Sequence, residues 1–240
     1  MFFERRSLLC PLCIVALSVL AVRCASVQRG TLGCEGIQIV SNELTLAEAQ
    51  DYCRYAVSER KKVEEFWGAT WKEPIRIHVS SAYRIARSLV PNQGNPGYIE
   101  MPLGRVRDNR GALLHEIVHN YAPNSNRFLQ EGLAVYLQDR MGGNPAFPNF
   151  GENLRVLARD QISSVTSLAR LNNVRFPQPL STVMPERTAY ILAGSFVGFL
   201  IEKYGLAQFK SLYQTEDYGK VHGKSFEILE KEWRSALQGK

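Results

Sequence analysis

The residues most able to do chemistry are His115, Glu116 and His119, which stand in the pattern HExxH. Two histidines four positions apart lie on the same face of an α-helix, one turn from each other. At that spacing two imidazoles can hold one zinc ion, with the glutamate beside the zinc-bound water. The same pattern also occurs by chance in helices that bind no metal, so residues elsewhere must decide between the two interpretations.

Glu131 is the best candidate for a third ligand. A catalytic zinc site takes three protein ligands and keeps a fourth position open for water. Glu131 lies twelve residues beyond His119, and the break at residues 123–126 lets a second helix fold back on the first. Its neighbours Gly132 and Ala134 are small enough to let two helices approach closely. A carboxylate buried at such a contact needs a partner, and a zinc ion would supply one.

Other zinc-binding patterns fit the chain less well. The long metzincin pattern needs a downstream glycine and histidine, and this chain has Ala122 and Ser125 at those offsets. The inverted pattern HxxEH is absent from the sequence. Asp139, two turns beyond Glu131, stays open as an alternative ligand or as a residue that supports the end of its helix.

The two motifs together resemble those of the gluzincins, particularly the peptidase MA-like domains of bacteria. The resemblance is carried by HEIVH at residues 115–119 and QEGLA at residues 130–134, and it covers roughly residues 70–210. It implies one zinc ion held by His115, His119 and Glu131, with Glu116 as the general base. In some gluzincins an acid one turn after the glutamate ligand orients a histidine. Here that position is Val135, so support for the ligands must come from elsewhere.

Tyr190 is the candidate donor for the oxyanion of the reaction. It resembles the aromatic residue that precedes the Ala-Gly-Ser-Phe run in this family, and a phenol can supply the hydrogen bond. A tyrosine packed in the core of the helix is the alternative. His222 is a second possible donor, with a surface or capping histidine as its alternative. His78 lies in a predicted strand on the side opposite the isoleucines, and we expect no metal role for it.

The elements that must position these residues follow from hydrophobic periodicity. The resemblance implies a zincin-like fold of the α+β class, with a small N-terminal mixed sheet, an active-site helix and a mostly helical C-terminal half. The pattern predicts Asp108 or Asn109 as the N-cap of the active-site helix and Asn126 as the N-cap of the next helix. Strands are predicted at residues 37–40, 74–79 and, as an edge strand, 98–101. Helices are predicted at residues 46–67, 81–89, 128–140, 152–159, 163–171, 186–204, 206–213 and 225–237.

The first segment of the chain has the pattern of a signal peptide. Arg5 and Arg6 precede a nearly continuous apolar run at residues 7–22, which suits a signal core better than a membrane span. We expect cleavage near Cys24 and export to the periplasm, the cell envelope or the medium. Acylation of Cys24 or an uncleaved anchor would instead attach the protein to a membrane. The predicted division is a signal peptide at 1–24, an arm at 25–45 and a peptidase domain at 46–240.

Net charge bears on whether the chain binds nucleic acid, and the cysteines bear on whether it contains a disulfide. The formal net charge is +6, and removal of residues 1–24, with three arginines and one glutamate, lowers it to +4. This mild, dispersed basicity is no argument for nucleic-acid binding. Cys34 and Cys53 remain in an exported chain and predict a disulfide between the arm and the first helix, with two free thiols as the alternative.

The expected function is that of an exported zinc peptidase in which Glu116 acts as the base on a zinc-activated water. The expected partner is a polypeptide or peptide substrate, and we expect a monomer. Two alternatives stay open, a zinc amidase acting on cell-wall peptides and a non-catalytic binding module with the same fold. The intact Glu116 argues against the binding module, since a degenerate site would most readily lose its base.

Overall fold

A five-stranded sheet forms the amino-terminal part of the described chain. The computed structural model describes residues 30–89, 97–108 and 111–239. The strand order is β1-β2-β3-β5-β4, in which β2, β3 and β5 are parallel while β1 and β4 are antiparallel to their neighbours. The strands are β1 (Thr31–Cys34), β2 (Ile37–Val40), β3 (Ile75–Ser80), β4 (Arg87–Leu89) and β5 (Tyr98–Pro102).

Helices make up most of the remainder, so the predicted α+β organisation is confirmed. A 3₁₀ turn, Leu180–Thr182, lies before the long helix α7. The helices are α1 (Leu46–Trp67), α2 (Leu103–Arg107), α3 (Leu113–Tyr121), α4 (Arg127–Met141), α5 (Leu154–Ile162), α6 (Ala169–Asn172), α7 (Glu186–Tyr204), α8 (Leu206–Thr215), α9 (Tyr218–His222) and α10 (Phe226–Leu237).

The central strand β3 shows how the alternating pattern orients the sheet. Ile75, Ile77 and Val79 are buried in the core, whereas Arg76 is exposed and His78 is partly buried. The ring of His78 stacks on Tyr98 of β5, with the ring centroids 4.6 Å apart. His78 therefore packs against a neighbouring strand of the sheet.

The edge of the sheet was predicted at the wrong strand. Strand β5 lies between β3 and β4, so the edge on this side is β4, within the segment 81–89 that was predicted to be a helix. The apolar residues of that segment have helical spacing, yet Ile85 is 68% exposed and has no core to cover. Residues 87–89 instead pair with β5, which satisfies their backbone hydrogen bonds. This tertiary contact overrides the helical spacing of the apolar residues.

Helix α1 has both of its ends encoded locally. Thr45 and Glu48 form a reciprocal capping box at its start, and Gly68 ends it in the left-handed conformation. The disulfide between Cys34 of β1 and Cys53 of α1 is confirmed, and it ties the first strand to this helix.

The charged face of α1 is partly buried, because Glu59 and Arg60 both lie in the interior. The guanidinium of Arg60 donates to the carbonyl of Trp71 at 2.6 Å and to the hydroxyl of Tyr121 at 3.0 Å. Lys62 donates to Glu59 at 2.6 Å and to the carbonyl of Met141, at the end of α4, at 2.8 Å. Through these bonds α1 holds the segment before β3, the end of α3 and the end of α4.

The start of the active-site helix differs from the prediction. The short helix α2 was not predicted, and Asp108 lies at its C-terminal end. Helix α3 begins after Ala112, which makes no side-chain capping bond. Asn109, the other predicted cap, lies outside the described residues. In contrast, the predicted cap of α4 is confirmed, since the Asn126 side chain accepts from the backbone N–H of Leu129 at 3.1 Å.

Glycines let α4 and α7 approach closely. A Cβ atom on Gly132 would lie 2.5 Å from Cγ2 of Val197 and 2.7 Å from the carbonyl oxygen of Ala193. On the other helix, a Cβ atom on Gly194 would collide with Val135. The residue next to Glu131 is thus pressed against the backbone of α7, which determines where Glu131 lies.

The predicted signal peptide at residues 1–24 lies outside the described residues. Among the helices of the described part of the chain, none combines the length and the hydropathy needed to cross a membrane.

Substitution of Gly132→Ala tests the close contact between α4 and α7. Overpacking costs about 1–3 kcal/mol, whereas the better helix propensity of alanine returns only about 1 kcal/mol. We expect urea denaturation to show a net loss of up to about 2 kcal/mol in the free energy of unfolding. The matched control is Gly104→Ala in α2, where no atom lies within 4 Å of the new Cβ and stability should not fall. A Gly132→Ala variant as stable as the wild type would contradict the packing argument.

Candidate metal centre

Helix α3 brings the two histidines together in the interior. All nine of its residues are buried, including His115, Glu116 and His119. The rings of the two histidines are nearly perpendicular, with centroids 4.8 Å apart. The carboxy-terminal end of the helix is fixed by Tyr213 of α8, whose hydroxyl donates to the carbonyl of Ala122 at 2.6 Å.

Glu131 of α4 meets both histidines, as the sequence predicts. Its Oε2 lies 3.1 Å from Nε2 of His115 and 3.3 Å from Nε2 of His119. One ligand atom from each of the three residues lies within 4.8 Å of the others, and all three residues are buried.

This donor set fits a zinc ion. Two imidazole nitrogens and one carboxylate oxygen are ligands that zinc takes in catalytic sites, which leave a further position open. A buried carboxylate also needs a positive partner, which a cation at this point would provide. The three residues would therefore hold the ion through the Nε2 atoms and the Glu131 carboxylate.

The alternative ligand Asp139 has a different role. Its Oδ1 accepts a hydrogen bond from Asn149 at 2.7 Å, in the loop that follows α4. Asn149 also donates to the carbonyl of Glu152 at 2.8 Å. Asp139 is not part of the three-residue cluster, so it supports the end of its helix rather than the metal centre.

Two interactions that the sequence did not reveal surround the cluster. Arg127, one turn before Glu131 on α4, forms an ion pair with Oε1 of Glu131. Asn120 donates to Oγ of Ser88 at 2.6 Å and to the carbonyl of Glu116 at 3.2 Å, which ties the edge strand β4 to α3. The only sequence signal for Arg127 is its helical spacing from Glu131, while Ser88 is remote from α3 along the chain.

The two buried carboxyl groups have opposite electrostatic environments. Burial raises the pKa of Glu116 to about 7, with the nearby charge of Glu131 adding to the rise, while His115 and a hydrogen bond from the Ser88 backbone oppose it. Burial also acts to raise the pKa of Glu131, but the contacts with His119 and His115 hold that pKa well below its usual range. Glu131 therefore stays ionised beside the histidines.

Tyr190 of α7 lies beside the metal ligands. Its ring is stacked parallel to that of His115, with centroids 6.2 Å apart and an angle of 10° between the planes. Phe147 packs against Tyr190 at a centroid distance of 5.4 Å. Burial raises the pKa of the Tyr190 hydroxyl, so it stays protonated and able to donate. The contact places Tyr190 at the centre, while its role in a reaction stays a prediction.

His222 of α9, the second possible donor, packs elsewhere. Its ring lies against Tyr204, with the centroids 4.8 Å apart, at the carboxy-terminal end of α7. It is not a member of the cluster formed by His115, His119 and Glu131. His222 therefore lies against α7 outside this cluster, and a role for it as donor stays a prediction.

Comparison with known proteins yields similarity in structure but none in sequence. No protein-family model and no curated protein sequence matches this chain. Among solved structures, the chain is similar to the crystal structure of an M1 zinc metallopeptidase mutant from Deinococcus radiodurans, with 15% identity and a TM-score of 0.43. The match covers 88% of this chain and 48% of that chain, so this chain spans about half the length of that structure. Similarity at this level does not assign the chain to a family.

The metal content of the purified protein tests the cluster. We expect about one equivalent of zinc per chain in elemental analysis, because the three ligand atoms of the cluster lie close enough together to hold a single ion. Glu131→Ala should lose most of the zinc, since only two histidines then remain. Asp139→Asn on the same helix is the matched control and should keep it. A Glu131→Ala variant with full zinc content would show that Glu131 is not a ligand.

Proposed function

We propose that this chain is a zinc-dependent peptidase of the gluzincin type, with a zincin-like fold, acting outside the cytoplasm. The observation that carries the proposal is the buried convergence of His115, His119 and Glu131, with Glu116 on the same helix as the two histidines. Such a group of buried polar side chains is costly without a function, and the spacing of its members is that of a hydrolytic zinc site.

The chemistry divides between the metal and the side chains. Bound zinc would polarise the scissile carbonyl and lower the pKa of the attacking water. The Glu116 carboxylate takes the proton of that water and passes it to the nitrogen of the leaving amine. The hydroxyl of Tyr190 donates a hydrogen bond to the carbonyl oxygen as negative charge develops there.

The proposed substrate is an extended peptide that pairs with the edge of the sheet. Strand β4 is the edge of the sheet among the described residues and lies beside α3, and the bond between Asn120 and Ser88 holds that edge next to Glu116. Strand addition at an edge supplies backbone hydrogen bonds independent of the substrate's side chains. An interaction of this kind suits a hydrolase that acts on polypeptides.

Export is the proposed setting. The disulfide between Cys34 and Cys53 fits an oxidising compartment, in agreement with the signal-like pattern of residues 1–24. A monomeric state belongs to the same proposal, and attachment to a membrane through residues 1–24 is the alternative to cleavage of that segment.

Glu116→Gln separates the possible functions. Loss of the base should lower the turnover of casein by about 10²- to 10⁴-fold, since general acid–base catalysis contributes that much. The zinc content should not change, because Glu116 is not a ligand. Initial rates on casein and on cell-wall peptide fragments, with wild type and variant side by side, provide the measurement.

Each outcome of that experiment distinguishes one alternative. Cleavage of casein that depends on Glu116 supports the peptidase. Cleavage of cell-wall fragments alone would favour the amidase, which shares the same site. A zinc-loaded wild-type protein that hydrolyses neither substrate would instead indicate a binding module.

Tyr190→Phe tests the oxyanion donor. The substitution keeps the ring packed between His115 and Phe147 but removes the hydroxyl, so kcat should fall by about 10²-fold while KM changes little. The matched control is Tyr204→Phe on the same helix, whose hydroxyl bonds Glu232 away from the cluster. Unchanged turnover in Tyr190→Phe would assign Tyr190 to packing.

A further inference from the structure

The two oxygens of the Glu131 carboxylate have different partners. Oε2 faces the Nε2 atoms of both histidines, at 3.1 and 3.3 Å. Oε1 is held in an ion pair by the guanidinium of Arg127, four residues earlier on α4. Since the pair lies within one helix, its geometry is set by the helix itself.

Arg127 is itself held in place. Its Nη1 donates to Oε1 of Gln130 at 2.8 Å, and its backbone N–H donates to the carbonyl of Val174 at 3.1 Å. The preceding residue, Asn126, is the buried cap of α4. The Nε atom of Arg127 is buried and has no hydrogen-bond partner among the described residues. The guanidinium is therefore a largely enclosed and oriented group, unlike a solvated surface arginine.

We propose that Arg127 is a positioning residue that holds Glu131 with one oxygen turned toward the metal. This inference rests on the proposed zinc site. It also accounts for Val135, which occupies the position where some gluzincins carry an acid one turn after the ligand. Val135 packs against Gly194 of α7, so support for the metal ligands on α4 comes from the turn before Glu131 instead.

Arg127 has two opposing effects on a bound cation. Its positive charge repels the ion and withdraws electron density from the ligand, so removal of the charge alone would strengthen binding. Removal of the guanidinium also leaves Oε1 of Glu131 without a partner in the interior, and the carboxylate then loses its orientation. Because Glu131 is buried and each of its oxygens has its own partner, orientation is the larger effect, and zinc binding should weaken without Arg127.

The test compares two variants. Arg127→Met loses both the positive charge and the N–H donors of the guanidinium, whereas Arg127→Lys keeps the charge as a single ammonium group. Zinc dissociation constants of the full chain are measured by competition with a chelator. We expect binding to weaken by about 10- to 100-fold in Arg127→Met and by less in Arg127→Lys. Absorption spectra of the cobalt-loaded proteins should change in Arg127→Met and be partly restored in Arg127→Lys.

The matched control is Arg234→Met in α10. Arg234 forms an ion pair with Glu230, four residues earlier on the same helix, and neither residue is part of the metal cluster. Loss of this ion pair should leave the zinc affinity and the cobalt spectrum unchanged. Circular dichroism and melting of the metal-free proteins report whether each variant folds. If Arg127→Met does not fold, weakened zinc binding by folded Arg127→Lys supports the inference and wild-type affinity overturns it.

Affinity in Arg127→Met equal to or tighter than that of the wild type would overturn the inference while leaving the zinc site intact. A wild-type chain that binds no zinc would overturn the proposed function, and the inference with it. The two failures are therefore distinguishable in a single titration series.

Discussion

The rest of the structure depends on the buried carboxylate of Glu131. Removing a carboxylate from water costs several kcal/mol unless positive or hydrogen-bonding groups meet it, and here Arg127 and two histidine rings do so. These partners come from two helices, so α3 and α4 must stay in register for the charge to remain satisfied. The residues that could hold a metal are therefore also a constraint on the fold.

Close packing keeps helices α3 and α4 in their relative positions. Helix α4 lies against α7 through glycines, and α7 in turn places Tyr190 beside His115. Helix α3 is held at its end by Tyr213 and along one side by α1, where Arg60 bonds Tyr121. Because interiors are close-packed, a shift of one of these helices would move a ligand. The large helical half is best understood as the support of a small polar centre.

The sheet also contacts the metal centre, through strand β4. Strand β4 pairs with β5 in the sheet and is bonded to helix α3 through Ser88 and Asn120. The Ser88 backbone is also close enough to influence the pKa of Glu116. The edge strand β4, the buried carboxyl of Glu116 and the cluster of His115, His119 and Glu131 thus meet at the junction of the sheet and the helical half.

Residue spacing and end signals within single helices were enough to predict several features of the fold and the metal centre. The HExxH pattern placed His115 and His119 on one face, Asn126 marked the start of α4, and the limits of α1 and α7 followed from periodicity and end signals. Contacts between distant segments decided the rest. Only the tertiary structure turned residues 87–89 into the edge strand, buried Glu59 and Arg60, and paired Ser88 with Asn120. The physical reason is that a helix relates residues three or four apart by its own geometry, whereas strand order and the partners of a buried charge depend on groups far away in the chain.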